Sequence, residues 1–154
     1  ETSAKELIQS RPTAVNLAWA VQRVQGSAHP LKEARRIHAE DKKMCEAMGR
    51  QGAQLRAKRI LTICNTGALA TGGIGTAFGV CLRSHAILYA CETRPLCQGA
   101  RLTMWEAEKN GLTATLIVDG AAAKTAIDKS ENPRPKSSPV EVSYTNCMAA
   151  PSTA

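Results

Sequence analysis

At Arg59 the hydrophobic pattern changes period, and that change limits the folds open to this chain. Before it, apolar residues recur at helical spacing, first Ala14, Leu17, Ala18, Val21 and Val24, then Leu31, Ala34, Ile37, Met44 and Met48. After it come three short apolar runs, Ile60–Ile63, Ala86–Cys91 and Leu112–Val118, separated by stretches long enough for a helix. Strands that alternate with such helices form a parallel sheet with right-handed crossovers. The expectation is an α/β chain with a helical segment over 1–58 and an α/β domain over 59–129. A Pro-rich linker and tail follow over 130–154, with a candidate last strand at Val140–Tyr144.

Punctuation refines the pattern. Ser10-Arg11-Pro12-Thr13 reads as a helix start, because proline is tolerated in a first turn. Gly26 ends that helix and Pro30 opens the next, which Gly49 and Gly52 are expected to break before a turn through Ala57. Helices are expected over Gly75–Ser84, over Arg101–Asn110 with Gly111 as the stop, and over Ala121–Ile127.

All three apolar runs end in polar residues: Cys64-Asn65, Glu92 and Asp119. In a parallel sheet those ends share one edge, where ligands of open α/β sheets bind. Behind Cys64 lies a loop with five glycines in thirteen residues, Gly67, Gly72, Gly73, Gly75 and Gly79, which lets backbone approach a ligand closely. The plainer reading is a cysteine packed at a strand end beside a flexible loop. Convergence of three polar strand ends favours the site.

Composition narrows the partners. The 154 residues suit one domain or slightly more. Aromatic residues make up 3%, which leaves no stacking platform for single-stranded nucleic acid. The net charge of +7 comes from clusters such as Arg35-Arg36 and Lys42-Lys43, interleaved with Glu33, Glu40, Asp41 and Glu46. These read as solvated helix faces and not as a nucleic-acid arm, while the basic balance suits a small anion such as a sugar phosphate. Six cysteines occur without zinc-type CxxC spacing and mostly inside apolar runs, so free thiols in a reducing cytoplasm are expected. No apolar run reaches the roughly 18–20 residues that span a bilayer.

Four segments carry a specific resemblance: SRPTAVNLAWAV (Ser10–Val21), ILTICNTGALATGGIGTAFGV (Ile60–Val80), ETRPLCQGARLTMWE (Glu92–Glu106) and ATLIVDGAAA (Ala114–Ala123). Together they resemble the methylthioribose-1-phosphate isomerase family of methionine salvage. That family shares its fold with the regulatory subunits of the translation-initiation guanine nucleotide exchange factor. The resemblance implies a Rossmann-like parallel sheet and conversion of 5-methylthioribose 1-phosphate to 5-methylthioribulose 1-phosphate. It implies no metal or organic cofactor, a phosphorylated sugar as ligand, and a homodimer paired through this half of the protein. Carried over residue by residue, Cys64 of the CNTG motif matches the family's catalytic cysteine. Arg11 matches a phosphate-binding position and Gln98 a substrate-binding one. Asn65, Thr66 and Gly67 share the cysteine's motif, and Glu92, Arg94 and Asp119 match positions that shape the same pocket. Cysteine suits the role, since a thiol near pKa ~8.5 is readily tuned as acid or base.

The chain also departs from the family pattern. The family's motif begins THCNTG, and Ile63 stands at the histidine. The RGAP phosphate motif is not found before Glu1. Beyond the third apolar run the GADR motif, which holds the family's second catalytic aspartate, is not found either. The tail PVEVSYTNCMAAPSTA resembles a later strand of the family, as if one strand–helix unit were skipped. The expectation is a shortened member with an incomplete sheet. The alternatives are a non-catalytic sugar-phosphate-binding or regulatory protein, and an isomerase of ribose 1,5-bisphosphate.

Overall fold

The computed structural model describes residues 2–127. Three helices come first: α1 (Thr2–Ser10), α2 (Val15–Gln25) and α3 (Pro30–Ala53). Strand β1 (Arg59–Thr62) leads through the glycine loop to α4 (Ala77–Ser84), and β2 (Ile87–Cys91) follows. A π-helical turn, Gly99–Thr103, runs straight into α5 (Met104–Lys109), then β3 (Ala114–Ile117) and α6 (Ala122–Ile127). The expected linker, the candidate strand Val140–Tyr144 and Cys147 lie outside the described residues.

The sheet is parallel throughout in the order β1-β2-β3. Leu61 pairs with Tyr89, which pairs with Thr115 on the far side. Central β2 (ILYAC) is an unbroken apolar run, as expected of a strand with neighbours on both sides. Leu88 is fully buried and packs with Phe78 and Cys81 of α4 and Ala107 of α5, flanked by Ile60 and Ala114. Ile60, Leu88 and Ala114 lie in register across the sheet, so α4 and α5 cover the same face. Burial pushes the Cys81 thiol up to about 11, which keeps it protonated and inert.

Two helix expectations are corrected. Ser10 closes α1 instead of opening α2; Ala14 caps α2 and Pro12 lies in the connecting turn. Gly49 and Gly52 do not end α3, which continues to Ala53. They stay in the helix because α4 crosses close to it. A Cβ on Gly49 would lie 3.2 Å from the Gly79 carbonyl oxygen, and one on Gly52 would collide with the Val80 side chain. Close helix approach outweighs the helix cost of glycine, about 1 kcal/mol each. Arg23 ties α2 to α3 through Glu33 at 2.6 Å and Glu40 at 2.9 Å.

Candidate active site

The C-terminal ends of the strands gather one connected group of side chains. Cys64, exposed just past β1, has φ 69°, and Thr93 just past β2 has φ 61°. Left-handed backbone is costly for residues with a Cβ, most of all for a β-branched one. The two hold each other. The Cys64 N–H donates to Thr93 Oγ1 at 2.7 Å, and that hydroxyl donates to the Cys91 carbonyl at 3.2 Å.

Asp119, past β3, completes the row. Its carboxylate accepts the Thr93 N–H on Oδ1 and the Arg94 N–H on Oδ2, each at 2.8 Å. Those donors, Arg94's first and then Thr93's, hold its pKa below the usual aspartate value. Burial raises the Cys91 thiol, and the nearby Asp119 carboxylate adds to that shift. Glu92 accepts from Arg94 Nε at 2.8 Å, which raises the guanidinium further, although the Arg94 side chain remains 72% exposed.

Gln98, at the start of the helical segment that runs through the π turn into α5, donates from Nε2 to Cys64 Sγ at 3.4 Å. Its Oε1 is buried without a hydrogen-bond partner among the described residues, as is Asn65 Oδ1. Buried amide oxygens normally find a donor, so two orphans, one on the residue after Cys64 and one on the residue bonded to its thiol, are notable. The π turn that follows lies against β2: a Cβ on Gly99 would collide with the Cys91 carbonyl oxygen. Single π turns inside helices often accompany functional sites.

The structure brings Cys64, Asn65, Gln98, Glu92, Arg94 and Asp119 to one edge, as the strand ends predict. Thr66 and Gly67 are there in a supporting capacity. The Thr66 hydroxyl meets that of Thr62 at 3.2 Å, and its carbonyl accepts from Thr76. Gly67 is buried, with its carbonyl accepting from Ala70 and Thr71. Arg11 lies exposed in the turn between α1 and α2, and among the described residues no hydrogen bond joins it to the strand edge. Thr93, Thr103 and Glu106 belong to the site and escaped the sequence reading. Buried Ala100, Thr103, Glu106 and Ala107 share one helical stripe, and two polar residues on a buried stripe were the available signal. Two shallow hollows of about 550 and 580 Å³ run along α3 and include none of these residues. Among the described residues, no three His, Cys, Asp or Glu side chains cluster to hold a metal ion, and no helix is long and apolar enough to cross a membrane.

Residues 1–129 match the initiation factor 2 subunit family. The chain belongs to that family. Within it, the chain is 47% identical over 137 residues to the methylthioribose-1-phosphate isomerase of Gemmatimonas aurantiaca, covering 78% of this chain and 40% of that protein. It is 50% identical over 133 residues to the protein of the same name from Methylococcus capsulatus, covering 76% and 38%. The fold matches the 5-methylthioribose 1-phosphate isomerase of Pyrococcus horikoshii at a TM-score of 0.66 and 38% identity, over 80% of this chain and 40% of that one. It also matches translation initiation factor eIF-2B, subunit delta, of A. fulgidus at 0.65 and 37% identity, over 83% and 44%. This member of the initiation factor 2 subunit family thus spans about two-fifths of the length of the relatives it matches.

Proposed function

We propose that this chain carries the thiol-bearing part of an aldose–ketose isomerase acting on 5-methylthioribose 1-phosphate, with Cys64 as acid or base. The observation that carries the reading is Gln98 Nε2 at 3.4 Å from an exposed thiol at the strand edge, in a chain 47% identical to a protein named for that reaction. The net change moves hydrogen from C2 to C1, turns the C2 hydroxyl into a carbonyl and frees the ring oxygen as a hydroxyl; the formula is unchanged. Such a transfer needs a group of tunable pKa within reach of both carbons. The orphan oxygens of Asn65 and Gln98 suit the hydroxyls of a sugar, which are donors. In this reading Arg11 serves the phosphate, Glu92, Arg94 and Asp119 shape the pocket, and Thr66 and Gly67 support the loop. The protein works as a homodimer in the cytoplasm, within methionine salvage.

The test is incubation of the chain with 5-methylthioribose 1-phosphate while the ketose carbonyl carbon is followed by NMR. Formation of 5-methylthioribulose 1-phosphate supports the reading. A second reading, a sugar-phosphate-binding regulatory protein, is favoured by the equally good fit to eIF-2B subunit delta and by Ile63 beside the cysteine. It predicts a rise in Tm with the sugar phosphate and no turnover. Ribose 1,5-bisphosphate at equal concentration separates the two isomerase substrates.

A further inference from the structure

The helix that brings Gln98 to the thiol also holds the cysteine loop from behind. Glu106 of α5 is 3% exposed, and no cation among the described residues pairs with it. A carboxylate so buried needs strong donors. It takes them all from one stretch of chain: Asn65 Nδ2 at 2.9 Å and the Leu69 N–H at 3.4 Å on Oε1, and the Ala68 N–H at 2.6 Å on Oε2. One turn earlier, buried Thr103 donates from Oγ1 to the Cys64 carbonyl at 2.8 Å. Gly67 is glycine for the same reason, since a Cβ there would collide with the Glu106 carboxylate.

Three residues of one helical segment therefore meet the loop in sequence: Gln98 at the thiol, Thr103 at the Cys64 carbonyl, and Glu106 at residues 65, 68 and 69. Hydrogen bonds to a charged acceptor are about twice as strong as neutral ones. We infer that Glu106, assisted by Thr103, is the positioning residue of the Cys64 loop, holding the left-handed cysteine with its sulfur against Gln98. Neither residue needs to meet the sugar. The inference rests on Cys64 being the reacting group, but its test does not use turnover.

The experiment measures iodoacetamide alkylation of each cysteine, located by peptide mass spectrometry, together with amide exchange over residues 64–69. In Glu106→Gln the carboxamide NH₂ faces an N–H donor. Exchange at Ala68 or Leu69 is expected to rise about tenfold, as for loss of a hydrogen bond to a charged group. The ratio of Cys64 to Cys97 alkylation rises with it, while Cys45, Cys81 and Cys91 stay protected. Unchanged exchange and ratio overturn the inference, and so does equal exposure of every cysteine in a folded variant, which marks a general structural role. Where Glu106→Gln does not fold, Thr103→Val carries the test. It removes the hydroxyl that donates to the Cys64 carbonyl and accepts from Asn65 Nδ2, both within the cysteine loop, raises the Cys64 to Cys97 ratio, and is rescued by Thr103→Ser. A wild-type ratio in Thr103→Val overturns the inference. If the isomerase reading alone fails, turnover is absent while these local changes persist.

Discussion

Asp119 shows how much of the strand edge rests on single groups. Its carboxylate joins β3 to the Thr93-Arg94 turn that follows β2 by accepting two N–H bonds at 2.8 Å. Because its folded pKa is depressed below the ordinary 3.8, its contribution to stability is fully present above that value. The contribution is lost as pH falls through the lower, folded value. Asp119→Asn leaves one of the two N–H groups facing a donor. The difference in Tm between wild type and Asp119→Asn should therefore be largest near neutral pH and close as pH drops below 3.8. A gap that is constant from about pH 7 to pH 3 assigns no role to the carboxylate charge. From the sequence alone Asp119 reads as a polar strand end; only the fold reveals that its partners are backbone amides of the neighbouring turn.

At the scale of elements, the α3–α4 crossing decides the packing of the helical segment on the sheet domain. Gly52 of α3 and Val80 of α4 share space that a single methyl group would overfill. Gly52→Ala gains about 1 kcal/mol of helix propensity but overpacks at about 1–3 kcal/mol, so the single variant should be neutral or destabilised. In a Val80→Ala background the same substitution should become favourable, with a coupling of about 0.5–3 kcal/mol in chemical denaturation. Additivity within about 0.3 kcal/mol would contradict the crossing. The glycines of α3 also mark where sequence reading fails on physical grounds. A glycine in a helical pattern signals an end when solvent surrounds it, and a close approach when another helix does. The sequence does not say which. Strands and their polar ends were legible, because β-branched runs and their termini depend on local pattern. The role of Glu106 was not, because its donors lie some forty residues earlier and only the tertiary fold unites them.

Across the described residues, a parallel three-stranded sheet has its polar edge bound into one network, with α5 behind it and α3 holding the far side of the glycine loop. Asp41 of α3 accepts the Gly72 N–H at 2.5 Å, so carboxylates from two helices hold the loop at opposite ends. The α/β class and the edge position of Cys64 were readable from the order of apolar runs and glycines. The resemblance pointed to a branch of the initiation factor 2 subunit family, and the match over residues 1–129 establishes that wider family. It did not supply the position of Arg11, which lies in the turn between α1 and α2 and not in a helix start. The central claim is that the Cys64 thiol performs the hydrogen transfer. Its most direct test compares the initial rate of 5-methylthioribulose 1-phosphate formation by the wild-type chain and by Cys64→Ser, with Tm measured on both. The account predicts turnover by the wild type and a loss of about 10²-fold or more in Cys64→Ser at an unchanged Tm, the scale of a removed general acid or base. Full rate in Cys64→Ser contradicts it.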